Sequence, residues 1–389
     1  MQNRTKRSVI ILGCTGSIGT TALRALESLT ESFEVVGLSA HSAVGELTRI
    51  ARTWNCKNVC ISGARGLDSE HVDFLEGTSL YYGEQGIVDL IRNTDADIVL
   101  NAIAGSSGLP ATFAAIENHM DVALSNKESI VMAGNLLFEY ADDHGVKIIP
   151  VDSEHSTLYA LLEAFGPSAV HSLVLTASGG PFRNYPLDKM SEITVGMATA
   201  HPTWKMGAKI SIDSATLANK GLEVIEASFL FGFSHASIEV VIHPQSVVHS
   251  LIRMHNGALY AQLSPPDMSL PILSALSDKK VELHNIVHPL DFSNLILGFQ
   301  KPDHIRFPLL PLAFDCAREQ RGYPIAYNAA NEIAVQAFVK GEITFDKIVR
   351  VVGDTLAHDW HFGFSSMEDI LGIDSQARSL AALVVGNIS

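Results

Sequence analysis

Charge is scarce in this 389-residue chain. Asp, Glu, Lys and Arg make up 18% of it, and the balance is acidic: 27 basic residues against 42 acidic ones, a formal net charge of −15. A chain so short of cations repels polyanions, which excludes nucleic acid as a partner and obliges any small anionic ligand to find a local cationic site. Cysteine is scarcer still. Cys14, Cys56, Cys60 and Cys316 are too few and too scattered for a disulfide framework. Cys56 and Cys60 also lack the second Cys or His pair that would complete a zinc site. A reducing, cytoplasmic setting follows as the expectation. No apolar run approaches the ~20 residues that cross a bilayer, so no membrane partner is expected. The opening Met1 to Ser8 runs directly into an apolar strand, without the apolar core and small-residue cleavage site of a secretory leader. Internal repeats and low-complexity tracts are missing as well.

What the chain has is apolar residues, 47% of the total, and enough length for two or three domains at roughly 100–200 residues each. Short β-branched runs at Val9 to Leu12, Phe33 to Leu38, Asp97 to Ile103, Asp121 to Leu124 and Val146 to Val151 alternate with amphipathic stretches. One such stretch places Ala22, Leu23, Leu26 and Leu29 at helical spacing. That rhythm predicts an α/β fold, with a Rossmann-like parallel sheet over residues 1–150. From 151 the texture changes to an α+β catalytic domain, residues 151–276. It is read as a strand Leu173 to Thr176, a mobile lid loop over 178–212, and a hairpin of Val247 to Met254 with Ala258 to Leu263 around Asn256-Gly257. A Pro-punctuated linker, 277–305, leads to a small C-terminal helical domain, 306–389, where Ala329, Ala330, Ile333, Ala334 and Phe338 recur at helical spacing.

Gly13-Cys14-Thr15-Gly16-Ser17-Ile18-Gly19 follows the first strand and opens the first helix, the setting in which backbone amides and a positive helix end hold a pyrophosphate. The end of the second strand reads Ser39-Ala40-His41-Ser42-Ala43. It has no carboxylate to bond a ribose hydroxyl, which favours NADP over NAD, and His41 and Ser42 can donate to a 2′-phosphate; a solvated turn is the alternative. Asp152 and Glu154, read at the end of a strand, share one face as i and i+2 and suit a hard cation such as Mg²⁺ or Mn²⁺. The alternative is an exposed acidic loop. Asn219, Lys220 and Glu223 share a face at a helix start, although a surface ion pair of Lys220 with Glu223 would look the same. Hydroxyl-rich turns at Thr176 to Phe182 and Ser211 to Ser214 can donate to phosphate oxygens. Trp204 and Met206, in otherwise polar sequence after His201, either cover a substrate or pack onto the domain. His155, His243 and His249 read as structural.

Taken together, these segments resemble the 1-deoxy-D-xylulose-5-phosphate reductoisomerases, NADPH-dependent enzymes that make 2-C-methyl-D-erythritol 4-phosphate for non-mevalonate isoprenoid synthesis. The resemblance spans nearly the whole chain. Besides the glycine turn it rests on Ser125-Asn126-Lys127-Glu128-Ser129, Asp152-Ser153-Glu154-His155-Ser156, Ser178 to Phe182, His201 to Trp204 with Met206-Gly207, Ser214 to Glu223, and His243 to Val247. It implies that Asp152, Glu154 and Glu223 bind the divalent metal, with Ser153 and Lys127 at the substrate beside it. It also implies that Ser178, His201, Ser214, Asn219 and Lys220 hold phosphate and hydroxyls, that Trp204 closes over the sugar with Met206 beside it, and that Lys127 and the three acids carry the catalysis. Thr15, Gly16, Ser17, Ile18, Asn126, Glu128 and Gly207 are the implied NADPH contacts, and a homodimer is the implied assembly. A semialdehyde dehydrogenase would share the first domain, yet it needs a reactive Cys with a His partner, and Cys14 is used in the turn while Cys316 lies in the helical tail.

Overall fold

The β-branched runs of the first 150 residues pair in the computed structural model as a seven-stranded parallel sheet. The structure describes residues 6–63, 74–204, 206–277, 283–291 and 293–388. Met1–Thr5, Lys205, and residues 278–282 and 292 of the expected linker lie outside them. The sheet comprises β1 (Arg7–Leu12), β2 (Phe33–Ala40), β3 (Asn58–Ile61), β4 (Ser79–Tyr82), β5 (Ile98–Asn101), β6 (Asp121–Leu124) and β7 (Ile148–Pro150). Strand order is β4-β3-β2-β1-β5-β6-β7, so the chain reverses its direction of travel between β1 and β5. That reversal opens a crevice at the carboxyl ends of the two central strands, where ligands of such sheets bind. Val9 to Leu12 of β1 and all of β5 are buried, as strands covered on both faces must be. The expected strands are present, with Asp97 to Ile103 and Val146 to Val151 each shortened at its ends. β3 and β4 were not expected: each has four residues, and β4 is too exposed to show an apolar run.

Contacts divide the chain into two units, and the boundaries differ from those expected at 150, 276 and 305. Unit 1 is Met1–Ser129, Leu137–Ser156 and Asp267–His288; unit 2 is Ile130–Leu136, Thr157–Pro266 and Pro289–Ser389. The helix Ser269–Leu276, assigned by sequence to the catalytic domain, buries Ile272, Leu273, Ala275 and Leu276 in the unit 1 core with Val9, Ile11 and Leu26. Arg7 Nη1 fixes its end by donating to the Leu276 carbonyl at 2.7 Å.

Unit 2 holds a four-stranded mixed sheet in the order β11-β10-β8-β9, formed by β8 (Val170–Ala177), β9 (Ile238–Ile242), β10 (Val248–Met254) and β11 (Leu259–Leu263). β8 and β9 are parallel and the other pairs antiparallel. The Asn-Gly hairpin forms as expected, with Gly257 at φ +86° and Asn256 Oδ1 accepting the Ala258 N–H at 3.0 Å. The C-terminal helices share one core with this sheet, Leu173 and Leu222 packing in the same cluster as Ala313, Tyr327, Ala334 and Val352. Part of the apolar interior of residues 306–389 is therefore common to this sheet.

The stretch 178–212 is less of a loop than its sequence suggests. It contains a 3-10 turn Leu187–Glu192, a helix Val195–Thr199 and the start of the helix Ala208–Thr216. Phe182, Ile193 and Ala198 anchor it in the core. Thr194, whose side chain accepts the Met197 N–H, is the capping signal that marks the short helix.

Candidate active site

Gly13 ends β1 at φ +74°, and a Cβ there would lie 2.7 Å from the Ala102 carbonyl oxygen. At Gly19 a Cβ would fall 2.4 Å from the Gly13 carbonyl oxygen, so only glycine lets the helix Ser17–Leu26 press this closely on the turn. The turn is held by Gly13 N–H donating to Ser39 Oγ at 3.1 Å and Cys14 N–H donating to the Ser39 carbonyl at 2.8 Å. Gly16 occupies the helix cap without a side-chain cap bond, and the first helical turn carries no acid. The positive end of the helix is thereby kept for an anion. Gly16 and Ser17 are exposed, Thr15 and Ile18 half-buried. Burial pushes the Cys14 thiol up to about 12, with Cys56 beside it adding to the rise, so this cysteine packs and does not react.

His41 and Ser42 are exposed beyond the end of β2. His41 Nδ1 lies 3.2 Å from Ser62 Oγ, and Gly63 N–H donates to the His41 carbonyl at 2.7 Å. Ser62, which sequence reasoning missed, brings a third polar group to this corner from the end of β3. Asn126 and Glu128 are buried, at 2% and 6% exposure. Asn126 Nδ2 donates to the carbonyls of Ile103 and Gly105 at 2.7 and 2.8 Å and reaches Glu128 Oε2 at 3.0 Å. It staples the turn after β5 to the turn after β6, at the carboxyl edge of the sheet.

Asp152 and Glu154 come together, though not by the expected route. Asp152 does not lie in a strand with Glu154: the chain turns immediately after it into the helix Ser153–Phe165. Its Oδ1 accepts the N–H groups of Glu154 and His155 at 3.0 and 3.3 Å, the bonds of an N-capping aspartate. Glu154 sits in the first turn, and carboxylate oxygens of the two residues lie within 4.8 Å. Lys127 Nζ donates to Asp152 Oδ2 at 2.8 Å, with both side chains largely buried, and Ser153 Oγ donates to Glu154 Oε2 at 2.8 Å. The helix end and Lys127 together make two adjacent carboxylates tolerable.

In unit 2 the helix Ala218–Phe231 is buried almost all round. Glu223 is fully buried and Lys220 nearly so; the two form an ion pair, and Asn219 Nδ2 donates to Glu223 Oε1 at 2.5 Å. A surface ion pair is therefore excluded. Glu226, one turn further on, is 1% exposed and so belongs to the interior as well. Leu217, at φ +57°, turns the corner between the helix Ala208–Thr216 and this one. A branched residue in the left-handed region is a strained position of the kind that collects at functional sites.

The two half-buried residues flanking that corner are Ser214 and Asn219. Asp213, 1% exposed, pairs with Lys209 Nζ at 2.8 Å and accepts from Asn331 Nδ2 at 2.8 Å, fixing the helix that carries Ser214. On its other side a Cβ on Gly180 would lie 2.6 Å from the Ser214 carbonyl oxygen, so the Ser178–Gly180 turn rests on Ser214. Ser178 Oγ lies 3.0 Å from His201 Nε2, and Trp204 N–H donates to His201 Nδ1 at 2.9 Å. The Trp204 ring stands edge-on to His249 at 6.2 Å. Met206 is half-buried, and the Gly207 carbonyl accepts the Ser211 N–H at 3.1 Å, starting the helix Ala208–Thr216. Arg183 and Arg306 were not legible in the sequence. Arg306 Nη1 binds the carbonyls of Phe182 and Tyr185 from 121 residues away or more, a separation over which no local pattern signals a contact. His243 and His249 are structural as expected: His243 Nε2 accepts the N–H groups of Val247 and Val248, and His249 Nε2 lies 3.1 Å from the Ser264 carbonyl.

A parallel sheet with a glycine turn at its reversal point, joined to a unit whose buried polar residues gather at helix ends, defines a nucleotide-dependent enzyme of the Rossmann type. Comparison with known proteins narrows the class. The family model 1-deoxy-D-xylulose 5-phosphate reductoisomerase matches residues 9–134, and models of C-terminal domains of the same enzyme match 148–231 and 263–380. The 1-deoxy-D-xylulose 5-phosphate reductoisomerase of Treponema denticola is 43% identical over 378 residues, covering 97% of this chain and 96% of its own. The Zymomonas mobilis enzyme, solved in complex with NADPH, superposes with a TM-score of 0.88 at 38% identity, over 98% of this chain and 99% of its own. A reductoisomerase solved with NADPH, fosmidomycin and magnesium gives 0.88 at 36% identity, over 98% of each chain. The chain belongs to the 1-deoxy-D-xylulose 5-phosphate reductoisomerase family. Among the described residues no helix is long and apolar enough to cross a membrane.

Proposed function

We propose that the residues described above carry the family's reaction in a divided way, unit 1 holding the nicotinamide cofactor and two of the metal-binding carboxylates, Asp152 and Glu154, unit 2 holding Glu223 and most of the groups for the phosphorylated sugar. The chain is an NADPH- and divalent-metal-dependent oxidoreductase that rearranges and reduces 1-deoxy-D-xylulose 5-phosphate to 2-C-methyl-D-erythritol 4-phosphate, a step of non-mevalonate isoprenoid synthesis. One observation carries the assignment of roles: the unit that bears the glycine turn also bears two carboxylates within 4.8 Å at a helix start.

Both groups fit the residues present. The turn offers backbone amides and an uncapped helix end to a pyrophosphate, with Thr15, Gly16, Ser17 and Ile18 at its surface. Asn126 and Glu128 shape the crevice beside it, Gly207 adds a backbone contact, and His41 and Ser42 meet the 2′-phosphate at a strand end without an acid. Asp152 and Glu154, with Glu223, offer the oxygen-only donor set that Mg²⁺ and Mn²⁺ prefer. When bound, such a cation supplies Lewis-acid polarisation of the sugar's hydroxyl and carbonyl oxygens.

The chain's own groups do the rest. Ser178, Ser214, Asn219 and Lys220 donate to phosphate and hydroxyl oxygens, with His201 behind Ser178, and Lys127 and Ser153 orient the sugar beside Asp152 and Glu154. Trp204, with Met206, covers the sugar and keeps water from the reacting carbons. A cytoplasmic homodimer is part of this reading, with the edge strand β11 and its exposed Leu259 and Tyr260 as the pairing surface.

The test is direct. Incubated with NADPH, Mn²⁺ or Mg²⁺ and 1-deoxy-D-xylulose 5-phosphate, the protein should oxidise NADPH only when metal and sugar are both present. Binding of NADPH without metal-dependent turnover would make it a nucleotide sensor and overturn the reading. Sedimentation at micromolar protein tests the dimer.

A further inference from the structure

We propose that His201 is a positioning residue of fixed tautomer, a strut whose two ring nitrogens join the backbone of the Trp204 segment to the hydroxyl of Ser178. The inference rests on the reading that Ser178 and Trp204 line the sugar site, and it assigns His201 a task distinct from touching the sugar.

The tautomer follows from the donors around the ring. Nδ1 accepts the N–H groups of Thr203 at 3.2 Å and Trp204 at 2.9 Å. A nitrogen that accepts carries no proton, so the single proton of the neutral ring is on Nε2, which donates to Ser178 Oγ at 3.0 Å. Ser178 Oγ also accepts the Gly180 N–H, at 3.2 Å. Both acceptor positions of the hydroxyl are then used, and its own hydrogen is directed away from ring and turn. Ser178 is thereby set as a donor before any ligand arrives, which suits a phosphate oxygen and disfavours a ligand that offers only N–H.

Neutrality of the ring is required, because a proton on Nδ1 would turn both backbone bonds into donor–donor clashes. The surroundings enforce it. Burial holds His201 below the ordinary imidazole range, and the Arg183 guanidinium adds to the effect. His249, across the Trp204 ring, is likewise held low by burial, with His243 and Lys220 also disfavouring its charge. A depressed folded-state value means that the strut is intact above about pH 6.5 and is lost as the pH falls through that lower value.

Asn and Gln variants separate the two ends of the strut. An Asn amide reaches the place of Nδ1, and a Gln amide reaches the place of Nε2. The readouts are acrylamide quenching of Trp204 without substrate, in a Trp54→Phe background where the other tryptophan, Trp360, is fully buried, and the KM for the sugar. His201→Asn should keep Trp204 shielded and raise KM about tenfold with kcat within about threefold, the loss of one hydrogen bond made to the bound sugar through Ser178. His201→Gln should leave Trp204 more open to quencher. Ser178→Ala should cost about tenfold in the wild type and less than twofold on His201→Asn. Wild-type quenching should rise as the pH drops, and that of His201→Asn should not. Equal quenching in the Asn and Gln variants, or full multiplication of the Ser178→Ala and His201→Asn effects, overturns the proposal. The quenching arms need no turnover, so a wild-type protein inactive on the sugar defeats the functional reading and leaves the strut standing on its own measurement.

Discussion

The two units build their polar sites from different material. Unit 1 uses main chain for its nucleotide turn: three glycines, a helix end, the Gly13 and Cys14 N–H groups donating to Ser39, and the Leu12 carbonyl accepting the Ala102 N–H. Unit 2 uses side chains, several of them buried and some held by a residue far away in sequence, as Asp213 is by Asn331 and the Phe182–Tyr185 turn is by Arg306. A backbone site is coded where it stands, because a turn needs only glycine at fixed offsets. A side-chain site is coded wherever the packing that holds it happens to lie.

That contrast can be broken by substitution. The largest effect is expected at Glu223, where Glu223→Gln should lower kcat by about 10²-fold or more with NADPH affinity unchanged, because the two tasks reside in different units. Turnover that persists at saturating Mn²⁺ would remove Glu223 from the metal set, and a parallel loss of NADPH binding would erase the division of labour. Gly19→Ala is the mirror experiment. The new methyl meets backbone at 2.4 Å, so unfolding should be easier by about 1–3 kcal/mol and the Kd for NADPH should rise, while Mn²⁺ binding measured by its paramagnetic signal stays as it was. Asn331→Ala withdraws a donor from a buried carboxylate. It should cost about 1–3 kcal/mol in denaturant melts and raise the sugar KM through Ser214; an unchanged KM would show that the helix Ala208–Thr216 is fixed by other contacts. The smallest effect concerns His361. Asp359 and Glu319 raise its pKa above the ordinary imidazole value, so their stabilisation is full below about pH 6.5 and fades as the pH rises through the folded value. Because the group is exposed, the Tm gap between wild type and His361→Asn should be small at low pH and vanish at high pH. A gap that grows with pH would reverse the assignment.

Legibility in the sequence follows the same division. The parallel sheet, its glycine turn, the Asn-Gly hairpin and the acidic pair were all readable, since each is a short-range pattern. The pairing of Asp152 with Glu154 was right and its reason was wrong: the alternation of a strand was inferred where Asp152 caps a helix, and Asp-Ser-Glu after an apolar run satisfies both patterns. The four-residue strands β3 and β4 were lost because they are too short to show periodicity. The folded character of 178–212 was missed because its helices are brief and its anchors, Arg306 among them, come from more than a hundred residues downstream. Burial of Lys220 with Glu223 was equally hidden, since an i, i+3 pair reads the same on a surface as in a core.

The return of Ser269–Leu276 to unit 1 has a bearing on how the chain is made. Val9, Ile11 and Leu26 emerge from the ribosome early, yet four of the apolar side chains that cover them are more than 240 residues away. Domains ordinarily complete themselves in the order of synthesis. Here the amino-terminal layer must wait, partly uncovered, until translation has passed Leu276, and a fragment released at residue 150 would present that apolar face to water and aggregate.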